Sequence, residues 1–316
     1  MFTRFLRKSK SFSPSFIPIH SEKRMTSFPN ESVIVNGNGE KQGGLLVLLR
    51  HGQSMWNCIP QHPDRMWRYA GAYDVALSKK GVEEAVEAGR RLRDIPVDVV
   101  FSSCLSRATM TAMLALNDHS SGKTPVCSSI SGSYIEGLKG ISQLPTGTAL
   151  PIISSSKLNE RNFGDLQGIP STEHLKRHTK EFLHKVRNDF HTRFPGETGE
   201  SSFDVYDRVI PYFESEILPR LLEGKNVLLV SHGFVMRCLI KYLDGMDEIE
   251  WNYQMSIEKS NPEECKLLAS TGVPLVYQYE QRNKEDLKSD TADAIPIPRK
   301  IGCDRAYLLE QSCATY

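Results

Sequence analysis

The sequence lacks several features that would assign it to a special class. No apolar run approaches the roughly 20 residues that a transmembrane helix needs, so a membrane-spanning protein is excluded. The seven cysteines are scattered and form no Cys-x-x-Cys pair, which argues against a disulfide framework or a zinc site. The net charge is only +1, with basic and acidic residues interspersed, so a nucleic-acid partner is not indicated. These absences are typical of an ordinary globular protein with reduced thiols.

The N-terminal region differs in composition from the rest of the chain. Residues 1–27 carry several basic side chains among Ser and Phe, with no acidic residue before Glu22 and no apolar core of a secretory signal. This composition predicts a transit peptide for a plastid or a mitochondrion, the alternative being a disordered tail on a cytoplasmic protein. Residues 28–44, polar and glycine-rich, are expected to form a linker. The folded domain is expected over 45–279, and 280–316 form a polar C-terminal tail.

Two apolar runs each lead into a His-Gly pair. Residues 45–49 are followed by Arg50, His51 and Gly52. Residues 226–230 are followed by Ser231 and then by the pair at 232–233. Such runs predict strands that are buried on both faces. Because ligands of open α/β sheets bind beyond the carboxyl ends of the strands, both histidines are placed for chemistry.

Strand and helix patterns alternate along the chain. Helical spacing of apolar residues over 82–92 is followed by a strand pattern at 97–101, and a second helix is expected to begin near Arg107. Later patterns predict a short strand at 151–153, a long helix over 205–221, a helix over 236–243 and a strand at 272–277. The alternation predicts a three-layer α/β/α fold with a mostly parallel central sheet. Residues 117–156 are expected to form a surface insertion.

One pair of histidines has the spacing of metal ligands. His174 and His178 lie four residues apart and would share a helix face. No carboxylate or cysteine pattern accompanies them, so a solvated helix is the favoured interpretation and no metal is expected.

The candidate residues suit phosphoryl transfer to a histidine. That chemistry needs an imidazole nucleophile, cations around the phosphate oxygens and an acid for the leaving oxygen. His51 is the candidate nucleophile, Arg50 and Arg107 offer planar forks that match phosphate, and His232 offers another hydrogen bond. Glu160 is the candidate general acid and base, the alternative being a surface salt bridge. The cations supply the charge that magnesium would otherwise provide.

Four ordered motifs resemble those of the histidine phosphatase superfamily. They are Leu-Arg-His-Gly at 49–52, Ser-x-Leu-x-Arg-Ala at 103–108, Leu-Asn-Glu-Arg at 158–161 and Ser-His-Gly at 231–233. Within that superfamily, the chain resembles the 2,3-bisphosphoglycerate-dependent phosphoglycerate mutases, especially the plant-type organellar branch. The blocks that carry this narrower resemblance are 81–85, 158–168, 241–246 and 270–277.

The resemblance implies a fold, a reaction and a set of residue roles. It implies a phosphoglycerate-mutase-like fold, phosphorylation of His51 and proton donation by Glu160. It implies that the substrate and its phosphoryl group are held by Arg50, Asn57, Gly71, Arg107, Glu160, Arg187, His232 and Gly233. The reaction would interconvert 3-phosphoglycerate and 2-phosphoglycerate in glycolysis and gluconeogenesis, with 2,3-bisphosphoglycerate as primer and no metal. The partner would be a small phosphorylated metabolite, and a homo-oligomer is left open.

The sequence also departs from the mutase pattern. Mutases usually carry Glu, Thr, Tyr, Lys, Arg and Asn where this chain has, in the same order, Gln53, Ala70, Phe163, Ser171, Asn188 and Phe234. Most of these positions are expected to contact the carboxylate or the second phosphate, and each lost charge-assisted hydrogen bond would weaken binding by about 1.5–3 kcal/mol. A phosphatase of a small phosphorylated metabolite is therefore the first alternative. A catalytically silent phosphate-binding or interaction protein is the second.

Overall fold

The computed structural model of the protein describes residues 44–58, 67–128, 147–279 and 299–303. The expected transit peptide over 1–27 lies outside the described residues, as do nearly all of the linker and most of the tail. Their assignments stay predictions. No helix in the described ranges is long and apolar enough to cross a membrane.

A seven-stranded sheet forms the centre of the described part of the fold. Its strands are β1 (Leu45–Arg50), β2 (Val99–Ser103), β3 (Thr124–Ser128), β4 (Ala149–Ser155), β5 (Val227–Ser231), β6 (Pro274–Gln278) and β7 (Arg299–Cys303). They lie in the order β3-β4-β2-β5-β1-β6-β7. The first five in that order are parallel, and β6 and β7 are added antiparallel at one edge. The predicted mostly parallel sheet is confirmed.

Helices cover both faces of this sheet. They are α1 (Lys79–Leu92), α2 (Ser106–Ala115), α3 (Ser171–Arg177), α4 (Lys180–Asn188), α5 (Ser202–Tyr212), α6 (Leu218–Leu222), α7 (Gly233–Leu243) and α8 (Glu248–Ile257). A π-helical turn, Phe213–Ile217, joins α5 to α6, so the long helix predicted over 205–221 is present with one irregular turn.

Alternating side chains of β1 enter two separate cores. Leu46 and Leu48 pack with α5 and α7 on one face. Val47 and Leu49 pack with α1 and α2 on the other face. Because successive side chains of a strand point to opposite faces, one continuous apolar run supplies both cores. This arrangement is the three-layer architecture that the sequence predicts.

Several expectations from the sequence need correction. The tail expected over 280–316 contributes β7 to the central sheet, so the folded domain expected over 45–279 extends beyond 279. The segment 117–156, expected to be a surface insertion, contains β3 and β4, which are parallel strands of the central sheet. The strands expected at 97–101 and 272–277 each begin two residues later, at Val99 and Pro274, and the helix expected over 236–243 begins earlier, at Gly233. His174 is not on a solvated helix face: it is 4% exposed, its Nε2 lies 3.0 Å from the Ile169 carbonyl and its ring stacks on Tyr69.

The turn after β1 is held against the first turn of α1. The Ser78 hydroxyl begins the helix by accepting a hydrogen bond from the Gly81 N–H at 3.1 Å. A Cβ on Gly52 would lie 2.1 Å from the Gly81 carbonyl oxygen, and one on Gly81 would lie 2.0 Å from the Gln53 carbonyl oxygen. Both glycines are therefore required by this close approach of two backbones, which positions the segment that begins with His51.

We expect Gly81→Ala to destabilise the fold. Alanine gains about 0.5–1 kcal/mol of helix propensity over glycine. Overpacking against a rigid backbone costs about 1–3 kcal/mol, so the net effect is a loss. Urea denaturation would measure it, with Glu83→Ala, on the exposed face of the same helix turn, as the control. A Gly81→Ala protein as stable as the wild type would contradict this account of the turn.

Candidate active site

A cleft lies at the carboxyl ends of β1, β2 and β5. Eight of the nine site residues expected from the sequence line it: Arg50, His51, Asn57, Gly71, Arg107, Glu160, Arg187 and Gly233. The ninth, His232, is fully buried, and its ring lies 4.9 Å from that of His51, centroid to centroid. The fold therefore gathers residues that span most of the sequence of the described domain.

His51 has the tautomer and charge state of a nucleophile. Its Nδ1 lies 2.6 Å from the Gly52 carbonyl oxygen, so Nδ1 carries the hydrogen and donates it. That leaves a lone pair on Nε2. Burial, then the positive charges of Arg107 and Arg50, hold the pKa of His51 well below its usual value. The imidazole is therefore neutral near pH 7 and available to attack phosphorus.

His232 is oriented by a serine at the end of β2. Its Nε2 lies 2.7 Å from the Ser103 hydroxyl, which also accepts the Leu105 N–H at 3.2 Å. We assign the hydroxyl hydrogen to Nε2, so Nδ1 carries the ring hydrogen. That Nδ1 is buried and has no hydrogen-bond partner within the described ranges. A buried donor without a partner is costly, and a ligand oxygen would satisfy it.

Arg107 is fixed before any ligand arrives. It is the second residue of α2 and 1% exposed, and its two terminal nitrogens each donate at 2.7 Å, to the Tyr73 and Gly71 carbonyls. Its Nε has no partner among the residues described. Burial lowers the pKa of Arg107 to about 10, with Glu160 and Asp74 opposing the shift, so the side chain stays cationic at neutral pH.

Arg50 and Asn57 are also held in place by hydrogen bonds to neighbouring groups. Arg50 donates to the Ala269 carbonyl at 2.9 Å. The Asn57 side-chain oxygen accepts the Ser54 hydroxyl at 2.5 Å, which leaves its NH₂ group as the donor for a ligand. Both side chains line the cleft, so they add donors beside those of Arg107 and His232.

Glu160 lies at the N-terminus of α7. Its carboxylate accepts hydrogen bonds from the backbone N–H groups of Arg161, Gly233 and Phe234 at 2.9, 3.1 and 3.2 Å. It forms no salt bridge within the described residues. Within these ranges Glu160 does not form the surface salt bridge that sequence reasoning kept as the alternative. The carboxylate is positioned in the cleft by backbone donors and the positive end of a helix.

The six departures from the mutase pattern fall into two groups. Ala70, Phe163 and Phe234 line the cleft. Gln53 does not: it is 5% exposed and accepts the Ser78 hydroxyl at 2.9 Å. Ser171 and Asn188 are also outside the cleft lining as far as the structure describes it. Three of the six positions can therefore act on the substrate directly.

Aromatic rings form one side of the cleft. Phe163 is in ring contact with Tyr69 at 4.3 Å, with Phe194 at 4.9 Å and with Phe234 at 5.9 Å between centroids. These four residues, called here the aromatic wall, all line the cleft. The ring faces offer apolar contact and no charged donor. Arg161 packs behind the wall, with its guanidinium carbon 4.6 Å from the Phe194 ring centroid and 4.7 Å from that of Phe234.

Two charged residues of the cleft were missed by sequence reasoning. Arg237 and Glu258 line the cleft and form a buried ion pair. Arg237 lies four residues after Gly233, so helical spacing could have placed it on the same face of α7. Glu258 follows the last residue of α8 in no recognisable motif, and no local signal identifies it.

Comparisons with known proteins agree with this geometry. The family model of the histidine phosphatase superfamily (branch 1) matches residues 46–126 and 141–263. A 2,3-bisphosphoglycerate-dependent phosphoglycerate mutase of Protochlamydia amoebophila is 38% identical over 235 residues, which cover 74% of this chain and 94% of the relative. The 2,3-bisphosphoglycerate-dependent phosphoglycerate mutase 1 of Arabidopsis thaliana is 36% identical over 257 residues, 80% of this chain and 70% of that protein.

The fold is also similar to solved structures. A mycobacterial glucosyl-3-phosphoglycerate phosphatase superposes with a TM-score of 0.52 at 21% identity, covering 75% of this chain and 91% of that one. At this identity the likeness supports the fold alone. On the family match and the sequence relatives together, the chain belongs to the histidine phosphatase superfamily, and its curated relatives include 2,3-bisphosphoglycerate-dependent phosphoglycerate mutases.

Proposed function

We propose that this protein transfers the phosphoryl group of a small phosphate monoester to Nε2 of His51 and then to water. The observation that supports it most is the buried pair of His51 and His232, with two arginines beside it and with Nε2 of His51 carrying a lone pair. A neutral imidazole that is held in one tautomer needs no general base to attack phosphorus. Such a nucleophile divides one difficult displacement into two easier ones.

In the proposed first step, a bond forms between Nε2 of His51 and phosphorus while the ester P–O bond breaks. Charge spreads over the equatorial phosphoryl oxygens, and the donors for them are Arg50, Asn57, Arg107 and His232. The two buried donors without a partner in the described residues, Nε of Arg107 and Nδ1 of His232, are accounted for by this assignment. Both atoms are buried, so a phosphoryl oxygen reaches them when neighbouring side chains shift.

Glu160 is the proposed proton carrier. In its protonated form it donates to the leaving alcohol oxygen, and it then takes a proton from the water that attacks phospho-His51. The N–P bond breaks in that second step, and phosphate is released with His51 neutral again. Its three backbone hydrogen bonds hold the carboxyl group in the cleft through the backbone, whatever side chains follow Gly233.

The aromatic wall supports hydrolysis over retention of a second anion. A mutase must keep a doubly phosphorylated intermediate bound while it turns around, and that requires cationic or polar groups opposite the phosphoryl site. Here Ala70, Phe163 and Phe234 lie in the cleft where the resembled mutases carry Thr, Tyr and Asn. An apolar surface binds a neutral part of a substrate and offers nothing to a carboxylate. These three positions therefore favour water as the acceptor.

The second candidate function is phosphoglycerate mutase activity with 2,3-bisphosphoglycerate as primer. The similarity of the chain to known phosphoglycerate mutases supports it. Arg187 supports it as well, since this retained arginine lies in the cleft and is partly exposed. The buried donors without a partner also fit a phosphoryl group of such a primer.

We expect the native protein to become labelled when it is incubated with ³²P-labelled acetyl phosphate. After denaturation and digestion, the label should be found as one acid-labile phosphohistidine at position 51. His51→Ala should abolish the label because the nucleophile is absent. His191→Ala is the matched control, since His191 is a surface histidine paired with Glu248 and lies outside the cleft lining. Undiminished label in His51→Ala would refute the assigned nucleophile.

We expect His51 and His232 to stay neutral between pH 8 and pH 6. Burial and the neighbouring arginines lower the pKa of both rings, so the neutral form persists as the pH falls below the usual value. Nitrogen-15 NMR of histidine-labelled protein would show it, with signals assigned from the two single alanine variants. The same rings should titrate at about 6.5 in urea. A folded-state midpoint near 6.5 would contradict the described environment.

Phosphorus NMR should separate the two candidate functions. With 3-phosphoglycerate, with or without catalytic 2,3-bisphosphoglycerate, we expect slow formation of inorganic phosphate and no 2-phosphoglycerate. A 2-phosphoglycerate signal that requires the bisphosphate would establish the mutase and reject hydrolysis as the main activity. Phe234→Asn should increase use of 3-phosphoglycerate by roughly tenfold if one hydrogen bond to its carboxylate is restored.

A further inference from the structure

Glu258 is a buried carboxylate on the cleft that the proposed chemistry does not use. It is 3% exposed, follows α8 and lines the same cleft as His51. Such a group needs compensation, since an isolated charge is costly to remove from water. The compensation here comes from arginines that themselves face the cleft.

Two arginines from different helices pair with this carboxylate. Arg237 of α7 donates to it through a terminal nitrogen, and Arg187 of α4 lies 3.4 Å away. Burial alone would raise the pKa of Glu258, but the charges of Arg237, Arg187 and Arg50 lower it to about 2. The carboxylate is thus ionised throughout the neutral range.

The ion pair with Glu258 fixes which neighbours the Arg237 guanidinium contacts. Its guanidinium carbon lies 5.1 Å from the centroid of Phe234, a member of the aromatic wall, while one terminal nitrogen is directed to Glu258. Arg237 is therefore stacked on one side and ion-paired on another. A substrate carboxylate that approached it would compete with Glu258 and be repelled by it.

The net charge of the cleft is also lowered by Glu258. The ionisable Arg and Glu side chains that line its described part are Arg50, Arg107, Arg187, Arg237, Glu160 and Glu258. They give a net charge of +2 when both glutamates are ionised. A phosphate monoester with a neutral organic part carries a charge of about −2 near neutral pH. With Glu160 protonated, as the first proposed step requires, the net charge is +3, and without Glu258 it would be +4. The carboxylate of Glu258 therefore lowers by one unit the positive charge that a second anionic group would meet.

We propose that Glu258 is a specificity-determining residue that neutralises Arg187 and Arg237 and so restricts the cleft to phosphate monoesters with no second anionic group. This inference rests on the proposed function for the position of the phosphoryl group. It concerns ligand selection and not the chemical steps. The substrate class it assigns is a monophosphate whose remaining part is uncharged and contacts the aromatic wall.

The test compares sn-glycerol 3-phosphate with 3-phosphoglycerate, in which a carboxylate replaces the neutral hydroxymethyl group. Their dissociation constants are measured by calorimetry on the full-length protein carrying His51→Ala, which prevents turnover. We expect this protein to bind 3-phosphoglycerate no more tightly than glycerol 3-phosphate. Adding Glu258→Gln should tighten binding of 3-phosphoglycerate relative to glycerol 3-phosphate by at least about tenfold, because Arg187 and Arg237 no longer face this buried negative charge.

Two further variants separate charge from packing. Glu258→Asp keeps the negative charge and should keep the parent ratio, and Glu250→Gln, which removes a surface partner of Lys266, should also leave it unchanged. Equal loss of both affinities in Glu258→Gln, an unchanged ratio, or the same shift in Glu258→Asp would overturn the proposal. If Glu258→Gln does not fold, the parent ratio decides alone, and tenfold tighter binding of 3-phosphoglycerate would overturn it.

The proposed function and this inference fail in distinguishable ways. Wild-type protein that releases no phosphate from glycerol 3-phosphate would count against hydrolysis, whereas the ratio of dissociation constants is measured without turnover. A ratio that shifts as expected therefore supports the role of Glu258 even if the catalytic outcome proves different. A ratio that fails to shift rejects that role even in an active phosphatase.

Discussion

The parallel pairing of β1 with β5 is the interaction on which the site depends. Its register places Arg50 opposite Ser231, and the His51 N–H donates to the Ser231 carbonyl at 2.9 Å. Since each strand continues into a histidine, this register brings the two rings into contact. A slip of one residue would turn one histidine to the other face of the sheet and separate nucleophile from donor.

Apolar burial alone does not fix that register. Both strands are buried on both faces, so a shifted pairing would still bury leucines and valines. A polar contact where the two strands begin adds specificity. The Leu45 N–H donates to the Asn226 side chain at 3.0 Å, and a shifted pairing would lose this hydrogen bond. The register is thus specified in part at the end of the strands opposite the site.

The sequence predicts the parts of the fold that local patterns determine. Continuous apolar runs identify β1 and β5, and helical spacing identifies α1, because each pattern is complete within about ten residues. The strand β3 was missed and β4 was predicted only at its centre, 151–153, because their runs contain proline and serine and lie at one end of the sheet. The Arg237–Glu258 pair joins positions 21 residues apart through tertiary packing. No local pattern encodes such a contact.

The N-terminus of α7 shows how shared chemistry and individual specificity can be separated. Gly233 and Phe234 present their backbone N–H groups to Glu160, and a backbone donor is present whatever the side chain. The side chain of Phe234 belongs instead to the aromatic wall and stacks on Arg237. Replacing that side chain changes what the cleft recognises and leaves the hydrogen bonds to the proposed proton carrier in place. One helix turn can therefore keep the catalytic carboxyl group constant while its side chains select a different phosphate ester.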